Sequence, residues 1–100
     1  MNDETLVNGQ ALDVRRKRLK FRAWHRGIKE MDLIMGTFAD THVATLTETE
    51  INQFEELLEE ADATVFSWIT HGQTPPEPFN TALFERIRKL DFMDGLPEKG

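Results

Sequence analysis

Apolar residues in this chain never run more than three in a row, as in Leu33-Ile34-Met35, and over long stretches they return at spacings of three and four. That spacing lines one face of an α-helix, whereas a half-buried strand needs strict alternation. A run of three is also far short of the ~20 residues that span a bilayer, so no membrane insertion is expected. Leu, Ile, Val and Phe together number 26 of the 100 residues, enough for one core. A single domain of this size buries roughly two-thirds of the surface its unfolded chain exposes, which leaves little room for a deep, enclosed active site. There is no cysteine, hence neither a disulfide framework nor a cysteine metal site.

Glycine, proline and capping residues divide the pattern into five short helices. The first is expected from about Leu12 to Arg26, with Val14, Phe21 and Trp24 on its apolar face. Gly27 follows a last turn holding Arg22, His25 and Arg26. Cations suit the negative end of a helix dipole, and glycine tolerates the left-handed cap. A second helix carries Ile28, Met31, Met35, Phe38 and Ala39, with Glu30 and Asp32 in its first turn and Gly36 at a point of close packing. It should fray over Thr41 to Ala44, and Val43 to Leu46 reads as a loop. Thr47 and Glu50 form a capping box, with Leu46 and Ile51 placed for the hydrophobic staple. Ile51, Phe54, Leu57, Leu58 and Ala61 give the third helix its buried face. Asp62 reads as the N-cap of a fourth helix with Val65, Phe66, Trp68 and Ile69, stopped by Gly72. After the proline-rich stretch from Gln73 to Pro78, a fifth helix begins near Asn80 and carries Leu83, Phe84, Ile87 and Leu90. The expected fold is an all-α compact bundle: a flexible N-terminal tail at 1–11, a five-helix domain at 12–92 and a flexible C-terminal tail at 93–100. The polar, acidic start Met-Asn-Asp-Glu-Thr has neither the pattern of a secretory signal nor that of an organelle leader, and a bacterial cytoplasmic location is expected.

The net charge of −6 conceals a segregation. Between Asp13 and Glu30 lie eight basic residues against two acidic ones, while Leu46 to Asp62 holds seven acidic residues and no basic one. Such a dipolar distribution either steers a partner or pairs internally. The cluster Arg15 to Arg22 has the character of a nucleic-acid patch, but the chain is acidic overall and the acidic third helix would repel DNA. A basic face balancing that helix is the plainer reading, and no nucleic-acid partner is expected. Nothing points to catalysis. His25, His42 and His71 form no i,i+4 metal pair, and Ser67 lacks a strand-turn-helix elbow. Glu55, Glu56, Glu59 and Glu60 read as a solvated face. No metal site and no enzyme activity are expected.

The junction Arg26-Gly27-Ile28-Lys29-Glu30 is the most informative place. As a helix corner, its basic last turn, glycine cap and acidic first turn all make sense. As a surface, it offers a donor fork, an acceptor and bare backbone for close approach, the ingredients of polar docking. Both readings stand on the residues alone.

The same segment, Arg26-Gly27-Ile28-Lys29-Glu30-Met31-Asp32, resembles the Arg-Gly-x-x-Glu-Leu/Met-Asp signature of the succinate dehydrogenase assembly factor family, called SdhE in bacteria. The preceding basic run, the segment Phe54-Glu55-Glu56-Leu57-Leu58-Glu59 and the spacing of Asp62 and Trp68 are similar too, so the resemblance covers roughly residues 14 to 90. It implies a small helical protein that binds the flavoprotein subunit of succinate dehydrogenase, and in some bacteria that of fumarate reductase. Such a protein promotes covalent attachment of FAD to a histidine of that subunit. The bond would form in the client, making this chain a chaperone that binds no cofactor tightly itself and leaves FAD to the flavoprotein. By the motif, Arg26, Gly27, Glu30, Met31 and Asp32 would form the partner-binding site, on a protein that is a monomer when free. A nucleic-acid-binding regulator and a general protein-interaction module are the alternatives.

Overall fold

The computed structural model describes residues 4–90, with side chains from Ala11 onward. Helices α1 (Glu4–Trp24), α2 (Lys29–His42), α3 (Glu48–Leu58), α4 (Asp62–Thr70) and α5 (Ala82–Lys89) follow one another, and no strand forms among the described residues. The described residues thus form the expected all-α bundle of five helices, although α1, at 21 residues, is not short. It begins at Glu4, ahead of the expected Leu12. The segment before Leu12 holds no proline, and a helix already nucleated by packing extends at little cost per residue. Residues 1–3 of the expected N-terminal tail, and the whole C-terminal tail at 93–100, lie outside the described residues.

The buried face of α1 differs from the one that Val14, Phe21 and Trp24 suggest. Leu19 and Ala23 enter the core, while Val14 and Phe21 are 50% and 63% exposed. The arginines decide the rotation. With this face inward, Arg16 donates from Nε to the Val43 carbonyl (3.0 Å) and from Nη2 to that of Leu46 (2.8 Å). Arg15 reaches Glu55 of α3, and Arg22 reaches Glu59 at its C-terminal cap. Their aliphatic stems cover apolar surface while the charged ends stay at the rim. Phe21 stacks on His25 instead, with ring centroids 4.0 Å apart.

The remaining faces follow the spacing. Met31, Met35, Phe38 and Ala39 of α2 are buried, as are Ile51, Phe54, Leu57 and Leu58 of α3, whereas Ala61 is exposed. The Phe38 ring stands edge-on to Phe54 at 5.6 Å, and Trp68 of α4 meets Phe84 of α5 in the same way at 6.1 Å. At Gly36 α2 packs directly on α1, where a Cβ would fall 2.2 Å from the Trp24 ring.

The helix ends show which local signals carry through. Thr47 and Glu50 close both halves of the capping box, and Leu46 and Ile51 are buried at the staple positions. A 3-10 turn over Val43–Thr45 joins α2 to α3. Gly72 has φ +67° and ends α4. The helix expected near Asn80 starts at Ala82, capped by Thr81, whose hydroxyl accepts from the Phe84 amide at 3.0 Å. One cap differs from expectation. Asp62 is the first helical residue of α4, Ala61 holds the cap position, and no side chain caps that helix. The Asp62 carboxylate is engaged by Arg26 instead.

Candidate functional site

Two assemblies of charged side chains lie on the bundle: a seam between α1 and α3, and the corner between α1 and α2.

At the seam the segregated charges of the sequence meet. Arg15 grips Glu55 with two bonds, Nε to Oε2 at 3.0 Å and Nη2 to Oε1 at 2.8 Å, and Nη2 also donates to Asn52. Arg22 Nη2 lies 2.7 Å from Glu59 Oε2. The hydrogen bond from Arg15 holds the Glu55 carboxyl below its ordinary range against a smaller opposing effect of burial, and the same bond raises Arg15. A shallow groove of about 520 Å³ runs along the seam, lined by Arg18, Arg22, Asn52, Glu55, Glu56 and Glu59. Its lining mixes both signs. Of the basic cluster, Arg15 and Arg22 pair with acidic residues in or just after α3, Arg16 bonds to carbonyls ahead of α3, and Lys20 pairs with Asp40 of α2.

The corner is built from residues 25–28, which leave the helical path between α1 and α2. Gly27 takes φ +113°, in the region that L side chains rarely adopt. Space is not what demands glycine there, since a Cβ would meet no atom nearer than Asp62 Oδ2 at 3.8 Å. Asp32, in the first turn and a half of α2, reaches back to accept from the Arg26 amide. Arg26 turns inward: Nε donates to Asp62 Oδ1 at 2.9 Å, and Nη2 to the Glu60 carbonyl at 3.2 Å.

The five residues singled out by the motif thus sit in three environments. Gly27 and Glu30 are exposed, and Lys29 beside them is exposed as well. Neither Lys29 nor Glu30 meets an ion-pair partner among the described residues. Arg26 and Asp32 are half-buried and bonded within the fold. Met31 is 1% exposed and belongs to the core, so its side chain supports the corner from below. The structure adds Asp62 and Glu60, which sequence reasoning leaves out of the site. No local signal marks Asp62 as a counterion, because an Asp at a helix start reads as a cap. Chemically, the corner presents a carboxylate, an ammonium and bare backbone on a braced turn, a surface for polar recognition.

The family described as "Flavinator of succinate dehydrogenase" matches residues 17–91, which include the corner and all of α2 to α5. An "FAD assembly factor SdhE" from Acetobacter pasteurianus is 39% identical over 77 residues, covering 76% of this chain and 70% of that protein. The mitochondrial succinate dehydrogenase assembly factor 2 of Candida glabrata is 33% identical over 92 residues, or 90% of this chain. Its counterpart in Dictyostelium discoideum is 33% identical over 73 residues, or 73% of this chain. The chain spans 60% and 52% of the lengths of these two mitochondrial relatives. With the family match extending over most of its length, this chain belongs to the succinate dehydrogenase flavinator family.

Proposed function

We propose that this protein binds the flavoprotein subunit of succinate dehydrogenase and promotes covalent attachment of FAD to it, acting as an assembly chaperone in the bacterial cytoplasm. Membership of the flavinator family over residues 17–91 carries the reading. The exposed corner at Gly27, Lys29 and Glu30 is the docking surface. Gly27 keeps the surface low so that client backbone can approach, and Glu30 accepts charge-assisted hydrogen bonds from the client. The rigid bundle favours one client conformation, in which FAD and its acceptor histidine are held close. Orientation of this kind lowers a barrier without any chemical group of the chaperone taking part. FAD is handled by the client, and this chain acts as a monomer without a tightly bound cofactor. The flavoprotein subunit of fumarate reductase is a second client of the same chemistry. A nucleic-acid role is disfavoured because Arg15, Arg16 and Arg22 already bond within the fold.

In-gel flavin fluorescence of the denatured client subunit tests this directly. A strain lacking the protein should show reduced covalent flavin at unchanged client expression, and Glu30→Ala should fail to restore it while remaining folded. Gly27→Arg should fail as well, with a stability loss of only about 1–2 kcal/mol from the strained backbone. Normal fluorescence in the deletion strain would refute the function. Normal fluorescence with Glu30→Ala would refute the site.

A further inference from the structure

The arginine of the Arg-Gly-x-x-Glu motif faces the wrong way for a residue that grips a partner. Three of its groups are taken by two other segments: its amide by Asp32 in α2, and its side chain by the start of α4, where Nε donates to Asp62 and Nη2 to the Glu60 carbonyl. The Arg26 and Asp62 side chains are 14% and 10% exposed, the most buried of the ion pairs formed by the described residues. Asp62 Oδ2 lies just under Gly27, 3.8 Å from where a Cβ would be.

We infer that Arg26 acts inward and that Asp62 is its positioning residue, the pair bracing the α1–α2 corner against α4 so that Gly27, Lys29 and Glu30 are held in the arrangement a partner reads. The inference rests on the docking role proposed above for that corner. A turn centred on glycine has many backbone states of similar energy, and residues 25–28 have no helix to restrict them. A bracing pair that is largely shielded from solvent selects one state before any partner arrives. The partner then meets a corner already ordered, and its affinity is not reduced by the fraction of molecules in other states. Asp62 and Glu60 are contributed from more than 30 residues away, so the docking surface depends on the start of α4 as well as on its own turn.

A double-mutant cycle separates this from direct contact. Affinity for the purified flavoprotein subunit is measured with the full chain as parent, Arg26→Ala, Asp62→Ala and the double variant, each checked by melting. The two single variants should weaken binding by a similar factor, about tenfold, within the range of coupled pairs, and the double variant by no more than either. Asp62→Asn, whose amide oxygen still accepts from Nε, should recover most of the affinity. Binding unchanged in Asp62→Ala, or losses that multiply in the double variant, would mean that Arg26 touches the partner itself, and the inference falls. If the alanine variants do not fold, Arg26→Gln and Asp62→Ser, which keep a polar side chain but not the ion pair, form the cycle, with the same two outcomes. A second readout needs no partner: hydrogen exchange at the amides of residues 25–30 should quicken equally in both variants, and unchanged protection overturns the brace. Glu30→Ala, run alongside, tests the docking reading separately. Normal binding there defeats that reading, while the exchange result still decides the brace.

Discussion

Gly36→Ala sets two physical effects against each other, and the structure decides the sign. Gly36 lies in the interior of α2, where alanine is favoured over glycine by about 1 kcal/mol on helix propensity alone. The new methyl group, however, would sit 2.2, 2.4 and 2.6 Å from three atoms of the Trp24 indole. Ordinary carbon–carbon contact is about 3.5–4.0 Å, so the ring or the helix must move by more than about 1 Å. The atoms that clash are at the base of the bicyclic ring, not at a flexible tip, and Trp24 Nε1 is tied to Asp40 at 3.3 Å. Overpacking of this kind costs roughly 3 kcal/mol, at the upper end of its usual range. Set against the propensity gain, the net loss is about 2 kcal/mol, a fall in Tm of roughly 8–16 °C for a domain of this size. Thermal and urea melts followed by circular dichroism measure it. Placing the same substitution in a Trp24→Ala background should reverse its sign, because the ring is gone and only propensity remains. A Gly36→Ala protein that melts at or above the parent temperature would refute the packing argument.

Phe54→Ala should cost about 3–5 kcal/mol in a urea melt, since its ring is fully buried against Phe38. Phe21→Ser, by contrast, should leave the melt within about 0.5 kcal/mol of the parent, because that ring is 63% exposed. The Arg15–Glu55 pair predicts an acid limb to stability. Glu55 titrates below its ordinary value of 4.5 when folded, so the unfolded chain takes up its proton first. The pair's contribution is complete above that ordinary value and is lost as pH falls through the lower folded one. Glu55→Gln should remove about 1 kcal/mol at pH 7 and flatten the melting temperature against pH over that acid range. An unchanged acid limb would show that other carboxylates govern it.

What the amino-acid sequence determined by itself is the set of features that act over one helical turn. The Thr47–Glu50 box, the stop at Gly72 and the buried faces of α2 and α3 depend on residues three or four positions apart, and their chemistry is complete in that window. The corner at Gly27 was legible for the same reason, as a glycine between a basic last turn and an acidic first turn. The rotation of α1 was not. Val14 and Phe21 are as apolar as Leu19 and Ala23, and what chose between the two faces is whether Arg15, Arg16 and Arg22 find acceptors on α3 and the residues at its two ends. The same holds for Asp62, which has the local signature of a cap and is instead the counterion of a residue 36 positions away. A carboxylate at a helix start gains from the dipole in either role, so only the arrival of Arg26 in space could decide which role it took.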